Sequence, residues 1–360
     1  MRTIMAGELV FITGGSGHVG FRVLVRALEA GYRVRAAVRS PDKARQILAT
    51  PSIQALQPGD DRLSFVQVPD LTAEGAYDQA IQGAQYAIHV ASPIPQQTQL
   101  NNLDQDTASS ARLVEHFIDP AVRGTLGLLT AAHKAGTVRR VVITSSGAAI
   151  VPWSFVVSGG GVGRVFDANS RVPTHPAGYE YSSAFEAYAA SKVAALNEAE
   201  QWLATTRPSF DVIHLFPGFV IGRDELAPTP ADLMRGSNQE VLGPVAYGAK
   251  DRCTPNSAVH VDDVADAHVR CLDPTVPGNQ GFILSSGGVQ GTDWQHSLEI
   301  TARRFRDEVE SALLPNNGQI QSIPISLDTS TSETVLGNKF RSFEEQVVDI
   351  VSYYLQLVAA

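Results

Sequence analysis

The stretch from Glu8 to Gly20, ELVFITGGSGHVG, runs from an apolar strand pattern through a glycine turn into a helix. Gly14, Gly17 and Gly20 have the spacing GxxGxxG, directly after the strand and at the opening of the helix. That context gives each glycine a task. Gly14 permits a tight turn, Gly17 removes a side chain that would hold backbone away from a pyrophosphate, and Gly20 lets the helix pack closely on the strand. The unpaired N–H groups of the helix, which starts at His18 and Val19, then face the phosphates. A glycine-rich turn with no ligand is the alternative; its position at the first strand of a repeating series favours the dinucleotide.

Working outward, short apolar runs alternate with helical patterns as far as Phe216. ELVFIT (Glu8–Thr13), RVRAAV (Arg33–Val38), LSFVQV (Leu63–Val68), YAIHV (Tyr86–Val90), RVVITS (Arg140–Ser145) and DVIHLF (Asp211–Phe216) read as buried parallel strands. Helices lie between them, and two, over about 17–30 and about 124–135, end at Gly31 and Gly136, where left-handed caps are expected. Strand, crossover helix and parallel strand repeated make the fold class α/β, a Rossmann-type doubly wound parallel sheet. After Phe216 the pattern loosens into Pro- and Gly-rich segments, with a strand end and helix in HVDDVADAHVRCL (His260–Leu272) and a strand in GFILSS (Gly281–Ser286). Residues 7–216 are thus expected to form the NADP-binding domain, to which 259–286 return. Residues 217–258 and 287–360 are expected to form a smaller substrate-binding region.

The choice of cofactor falls at the end of the second strand, where a carboxylate would grip the ribose hydroxyls of NAD. Here the segment VRSPDKA offers Arg39 and Lys43 instead, and two cations suit a 2′-phosphate. Solvated surface charge is the plainer reading of both. Asp70, after the third strand, is placed either to accept from an adenine amino group or to start a turn. Ala91, Ser92 and Pro93, after the fourth, let backbone pass beneath the cofactor or simply make a tight turn.

Tyr188 and Lys192 stand four apart in YAASK, so a helix puts both on one face. The ammonium favours the phenolate, which makes Tyr188 an acid towards a carbonyl and a base towards an alcohol. Ser146, in VVITSSGAA at the carboxyl edge of the fifth strand, can donate to the same substrate oxygen, with Ser145 as its competitor. Thr144 is counted among the cofactor contacts. YxxxK alone is common by chance, and the preceding strand, serine and glycine turn give it meaning.

Composition narrows the class. With 44% hydrophobic and 18% charged residues the chain is ordinary globular material, and a net charge of −9 argues against a nucleic-acid surface. Two cysteines, Cys253 and Cys271, show no metal-like spacing, so no metal site is expected and a reducing cytoplasm fits. No apolar run reaches the length of a membrane span.

TGGSGHVG, YRVRAAVRSPDK, HVASPI, VVITSSGAA, YAASK, FPGFVIG and HVDDVADAH together resemble the extended short-chain dehydrogenase/reductase family. They are most similar to its branch of dihydroflavonol reductases, cinnamoyl-CoA reductases and fungal aldehyde and ketone reductases of the methylglyoxal type. The resemblance implies a triad on Ser146, Tyr188 and Lys192, with Lys192 also on the nicotinamide ribose. It implies cofactor contacts at Arg39, Lys43, Asp70 and Leu71 and along Pro217, Gly218, Phe219 and Val220. His18 departs from the family, whose turn usually carries an apolar residue there. So does the long stretch from Ile150 to Phe185, which is either a wall of the active site, with Trp153, Phe155 and Phe166 on the substrate, or an inert excursion. Phe219 and Met234 are pocket candidates that plain core packing would also explain.

The expected function is that of an oxidoreductase, an NADPH-dependent carbonyl or aldehyde reductase acting on a small molecule, monomeric or homodimeric, binding neither nucleic acid nor membrane. A sugar-nucleotide epimerase or dehydratase holding NAD is the nearer alternative, and a non-catalytic sensor of NADP(H) the further one. Replacing Arg39 with Asp is expected to weaken NADPH binding far more than NADH binding. An unchanged cofactor ratio in steady-state kinetics would refute the assignment.

Overall fold

The computed structural model describes residues 7–92, 109–159, 163–250, 252–337 and 339–359. The chain opens with β1 (Leu9–Thr13), α1 (His18–Glu29), β2 (Arg33–Val38), α2 (Pro41–Leu48), α3 (Pro51–Leu56), β3 (Leu63–Gln67) and β4 (Tyr86–His89). It continues through α4 (Ser110–Leu113), a π-helical turn (Val114–Ile118), α5 (Asp119–Ala135), β5 (Arg140–Thr144), α6 (Trp153–Val157), β6 (Val165–Phe166) and α7 (Ala184–Thr206). Then come β7 (Asp211–Pro217), β8 (Phe219–Ile221), α8 (Gln239–Ala246), β9 (Arg252–Pro255), β10 (Ala258–His260), α9 (Val261–Arg270) and β11 (Gln280–Leu284). The last elements are α10 (His296–Arg304), α11 (Arg306–Glu310), β12 (Ile320–Ile323), β13 (Ser326–Leu327), α12 (Ser330–Leu336) and α13 (Phe343–Ala359).

Seven strands form one parallel sheet in the order β3-β2-β1-β4-β5-β7-β11. The direction of winding reverses between β1 and β4, so the crevice beyond their carboxyl ends is where such a sheet takes ligands. Successive strand residues supply opposite faces. Val10, Ile12, Val34, Ile88 and Val142 pack with Phe21, Leu24 and Leu28 of α1 and Val261 and Val264 of α9. Leu9, Phe11, Ala87, Val141 and Ile143 pack with Leu128, Leu129 and Ala132 of α5 and Ala199 of α7. Burial on both faces is why the central strands read as largely apolar runs. Gly31 (φ 90°) and Gly136 (φ 66°) take the left-handed conformation after α1 and α5. α5 begins at Asp119 rather than near Gly124, with Pro120 in its first turn, where the missing N–H costs nothing. The π-helical turn before it shifts the helical phase and hides the earlier start from the sequence pattern.

Later in the chain, α8, α10 and α13 surround the fully buried Trp294, whose indole N–H donates to the Pro255 carbonyl at 2.9 Å. β8 pairs with β10 and β9 with β12, each in parallel. The stretch from Ile150 to Phe185 is anchored: β6 pairs with β13, about 160 residues along the chain. Phe166 is 1% exposed and packs with Ile150, Phe216, Ile325 and Leu327, and Phe155 meets its ring edge-on at 5.2 Å. Expected as a substrate contact, Phe166 is core; Phe155 packs against the same cluster but, like Trp153, is only half-buried, so both keep the two readings. Among the described residues no helix is long and apolar enough to cross a membrane.

The amino edge of the sheet is tied by Arg140, which is almost fully buried. Its guanidinium donates to both oxygens of Asp211 (2.5 and 2.8 Å) and to the carbonyls of Cys271, Asp273 and Val276 (2.7 to 2.9 Å). The strand that leads to Ser146 is thereby set against β7 and the chain after α9. Replacing Arg140 with Met leaves three carbonyls and a carboxylate without their donor, and is expected to lower the unfolding free energy by about 3 kcal/mol. Urea denaturation measures this, and an unchanged midpoint would show that other groups take over those acceptors.

Candidate active site

The glycine turn is shaped by close approach. Gly14 has φ 76°, and a Cβ there would lie 2.5 Å from the Ala91 nitrogen; a Cβ on Gly20 would overlap the Gly14 carbonyl. The Gly17 N–H donates to Gly14 O at 3.0 Å and closes the turn. α1 starts with no side-chain cap and no acidic residue in its first turn, so its leading N–H groups are left for an anion. Val19 packs into the core. The side chain of His18 turns away to Arg223, its Nε2 donating to that carbonyl at 3.1 Å.

Around the turn, Arg39 and Lys43 are exposed at the end of β2 and on α2, Lys43 donating to Gln46 Oε1 at 3.0 Å. Asp70 caps a turn, accepting from the N–H and hydroxyl of Thr72 at 2.8 and 2.7 Å. Those bonds, and then the charges of Arg39 and Arg123, hold its carboxyl below the usual range. Leu71 packs beside Gly124, where a Cβ would come within 2.7 Å of its Cδ1. Pro93 lies outside the described residues.

Ser146, Tyr188 and Lys192 converge. Ser146 follows β5, its Oγ accepts from the Ala148 N–H at 3.1 Å, and its hydroxyl lies near enough to the Tyr188 phenol to lower that phenol's pKa. Ser145 continues the sheet instead, its N–H donating to Leu215 O at 2.8 Å and its side chain buried. Tyr188 and Lys192 ride on α7, whose start is fixed by Ser183 Oγ accepting from the Glu186 N–H at 3.1 Å. Lys192 Nζ donates to Ser92 Oγ at 2.9 Å and lies 5.6 Å from the Tyr188 ring centre.

Burial governs the charges here. It pushes the Lys192 ammonium down to about 8. It also pushes the Tyr188 phenol above its ordinary value, with Ser146 pulling the other way. The sequence reading had the lysine lowering the phenol; in this structure desolvation is the larger effect, and the ammonium is directed at Ser92.

Two buried histidines that the sequence reading passed over support the site. His89, pushed down to about 3 by burial and then by the Lys192 charge, pairs Nδ1 with Thr13 Oγ1 at 2.8 Å. His268, pushed down to about 4 by burial, presents Nδ1 to the Val264 carbonyl at 2.7 Å and Nε2 to Thr144 Oγ1 at 2.6 Å. A carbonyl only accepts, so the proton sits on Nδ1 and Thr144 donates to Nε2. The Thr144 hydroxyl is thus committed to α9. His89, which closes β4, was findable as a polar residue ending an apolar strand; His268 was not, since its partner is 124 residues away.

Beyond β7, Pro217 and Val220 are buried, and Gly218 crosses so near Ser257 that a Cβ would lie 2.5 Å from its carbonyl. Phe219 stands edge-on to Trp294 at 5.8 Å, and it and Met234 flank the Trp294 core half-buried.

A profile of the NAD dependent epimerase/dehydratase family matches residues 10–283. The ketoreductase CTB6 of Cercospora nicotianae is 37% identical, the match covering 98% of this chain and 96% of that protein. The protein named NAD-dependent epimerase/dehydratase FUM13, of Gibberella moniliformis, is 38% identical, covering 98% and 96%. Among solved structures, yeast methylglyoxal/isovaleraldehyde reductase Gre2 complexed with NADPH shares the fold with a TM-score of 0.79 at 24% identity, covering 98% of this chain and 99% of that one. On the length and identity of these matches, the chain belongs to the NAD dependent epimerase/dehydratase family.

Proposed function

We propose that this protein is an NADPH-dependent reductase that converts a ketone or aldehyde to an alcohol, with Tyr188 as proton donor. The observation that carries the reading is the convergence of Ser146, Tyr188 and Lys192 beside Ser92, at the carboxyl edge of β4 and β5. The names of the Cercospora ketoreductase and of the yeast reductase complexed with NADPH agree with it.

The residues fit a dinucleotide. Gly14 and Gly20 form a cradle that any Cβ would fill, and the first turn of α1 has neither cap nor carboxylate to repel a pyrophosphate. Arg39 and Lys43, exposed at the end of β2 and on α2, would hold a 2′-phosphate, and Ala91 and Ser92 would line the ribose side of the cofactor. When bound, the cofactor supplies a hydride. The chain's own side chains do the rest. Ser146 and Tyr188 present two hydroxyls to one carbonyl oxygen, which orients the substrate and stabilises charge as it develops. Tyr188 holds the proton that the oxygen takes, and a phenol kept above its ordinary pKa remains protonated at neutral pH until that moment. Lys192 offers positive charge next to the tyrosinate then formed. Trp153, Phe155, Phe219 and Met234 are the candidate walls of the substrate site.

An NAD-dependent epimerase or dehydratase is the second reading, which the name of the Gibberella relative favours. The cations at positions 39 and 43, where a carboxylate would hold the ribose of NAD, favour the reductase. A purified protein that retains its cofactor through gel filtration would point to the epimerase.

Tyr188→Phe is expected to cut turnover at least about 100-fold while NADPH binding, followed by nicotinamide fluorescence, stays near the parent value. Retained activity would overturn the mechanism. In the cofactor-free protein, NMR of isotopically labelled lysine should show one of the five lysines titrating near 8 instead of 10.5, a signal that Lys192→Met removes. Between those two values the folded chain binds fewer protons than the unfolded one, so this residue's burial penalty is present below pH 8 and relieved as pH rises through the window. Five ordinary midpoints would show that the ammonium is solvated.

A further inference from the structure

Thr13, His89, Ile143 and His214 are register partners across β1, β4, β5 and β7, so they form one row on one face of the sheet, close to its carboxyl edge. α5 and α7 cover that face, with Thr125 on the first and Lys192 on the second. Between row and helices lies a cavity of about 20 Å³ whose walls include His89, Ser92, Thr125, Lys192 and His214. It has room for a single water molecule, since about one probe sphere of volume is enough.

His214 is the unexplained member of the row. It is 6% exposed, and neither ring nitrogen has a hydrogen-bond partner. A neutral imidazole carries one donor and one acceptor, and leaving both unmade in an apolar setting costs free energy that a water would recover. Lys192 has the complementary need. Its ammonium has three donors, of which Ser92 takes one at 2.9 Å, and a bound dinucleotide would face the crevice side.

We propose that the cavity is a binding site for one ordered water, which accepts from Lys192 Nζ and donates to a ring nitrogen of His214, making His214 a positioning residue for the ammonium. The site itself stands on the orphaned imidazole and the cavity; its consequence for the reaction rests on the reading of Lys192 given above. The water acts as a buried solvent for one N–H of the ammonium. Without it the charged form is poorer by one hydrogen bond, and Lys192 would deprotonate at lower pH. The other groups that face Lys192 are Tyr188 on its own helix, the neutral His89 on β4 and Ser92. α5 contributes Ala121 and Thr125 and β5 contributes Ile143, Thr144 and Ser145, none of which ionises. Beyond His214 lie the charges of Glu200 and Arg171, which form a pair at 2.6 Å.

A crystal structure of the parent protein at a resolution that shows ordered water should place one peak within hydrogen-bond distance of both Lys192 Nζ and a His214 nitrogen. An empty cavity would overturn the proposal whatever the enzyme does. His214→Leu is expected to move the Lys192 midpoint, read by lysine NMR in the cofactor-free protein, down by at least about half a pH unit. His214→Asn, which keeps a donor and an acceptor, should leave it near the parent value. A leucine variant that folds and keeps the parent midpoint would sink the positioning role, and if that variant does not fold, the presence or absence of the water peak in the parent still decides the site. Neither readout uses turnover, so a failed reductase assay and a failed water site are separate results.

Discussion

The hydrogen bond from Lys192 to Ser92 joins α7, which carries Tyr188, to the turn after β4, where the sheet changes its direction of winding. Both partners reach it by close packing. Ser92 follows Ala91, which is pressed against Gly14, and α7 lies over a sheet face made of alternate strand residues. A side chain at Gly14 would push Ala91 and Ser92 outward and move the acceptor from the ammonium. The glycine turn therefore shapes the Ser146–Tyr188–Lys192 end of the crevice as well as its own, although the two are read as separate motifs in the sequence.

A second constraint couples the sheet to the later part of the chain. After β8 the segment from Arg223 to Leu226 is held from both sides. His18 donates to the Arg223 carbonyl, Gln46 to that of Leu226 at 2.9 Å, and the Ser52 N–H to Glu225 at 2.9 Å, while Arg223 reaches Asp349 of α13 at 2.8 Å. These are individually modest, about 1 kcal/mol each for ordinary hydrogen bonds and less for an exposed ion pair. Their value is geometric: α1, α2, α3 and α13 are referred to one short segment. His18, at the position where the family resemblance implies an apolar residue, has an account in this arrangement, since an apolar side chain could not hold the Arg223 carbonyl.

The central strands of the sheet are legible in the sequence because they are buried on both faces and so read as largely apolar runs. β2, with Arg33 and Arg35, and the half-exposed edge strand β3 are legible from their β-branched and aromatic residues and their place in the alternation with helices. The glycine turn and the Tyr188–Lys192 pair are legible because their spacing is local: a turn and one helix face. What lies between is not. β6 and β13 are two residues each and pair across about 160 positions, which leaves no periodic trace. Thr144 looks like a free hydroxyl beside Ser146 until α9 brings His268 against it. Phe166 reads as readily as a pocket wall as it does as core, and only the partners that arrive from the C-terminal region decide it.

The charge pattern of the site follows from one competition. Burial penalises an ammonium and a phenolate alike, so the folded chain on its own shifts both Lys192 and Tyr188 towards their uncharged forms. With a midpoint at about 8, the lysine still carries its charge at neutral pH. Each histidine nearby is neutral for the same reason, which keeps further positive charge away from the lysine. In a site so arranged the ammonium of Lys192 is the one cation among neutral side chains, and any charge that arrives with a ligand acts in a medium of low dielectric constant, where it counts for more than it would in water. Reactivity is in this sense stored in the packing of α5 and α7 over the sheet: the helices that make the core also remove the water that would otherwise level the two side chains to their ordinary titration ranges.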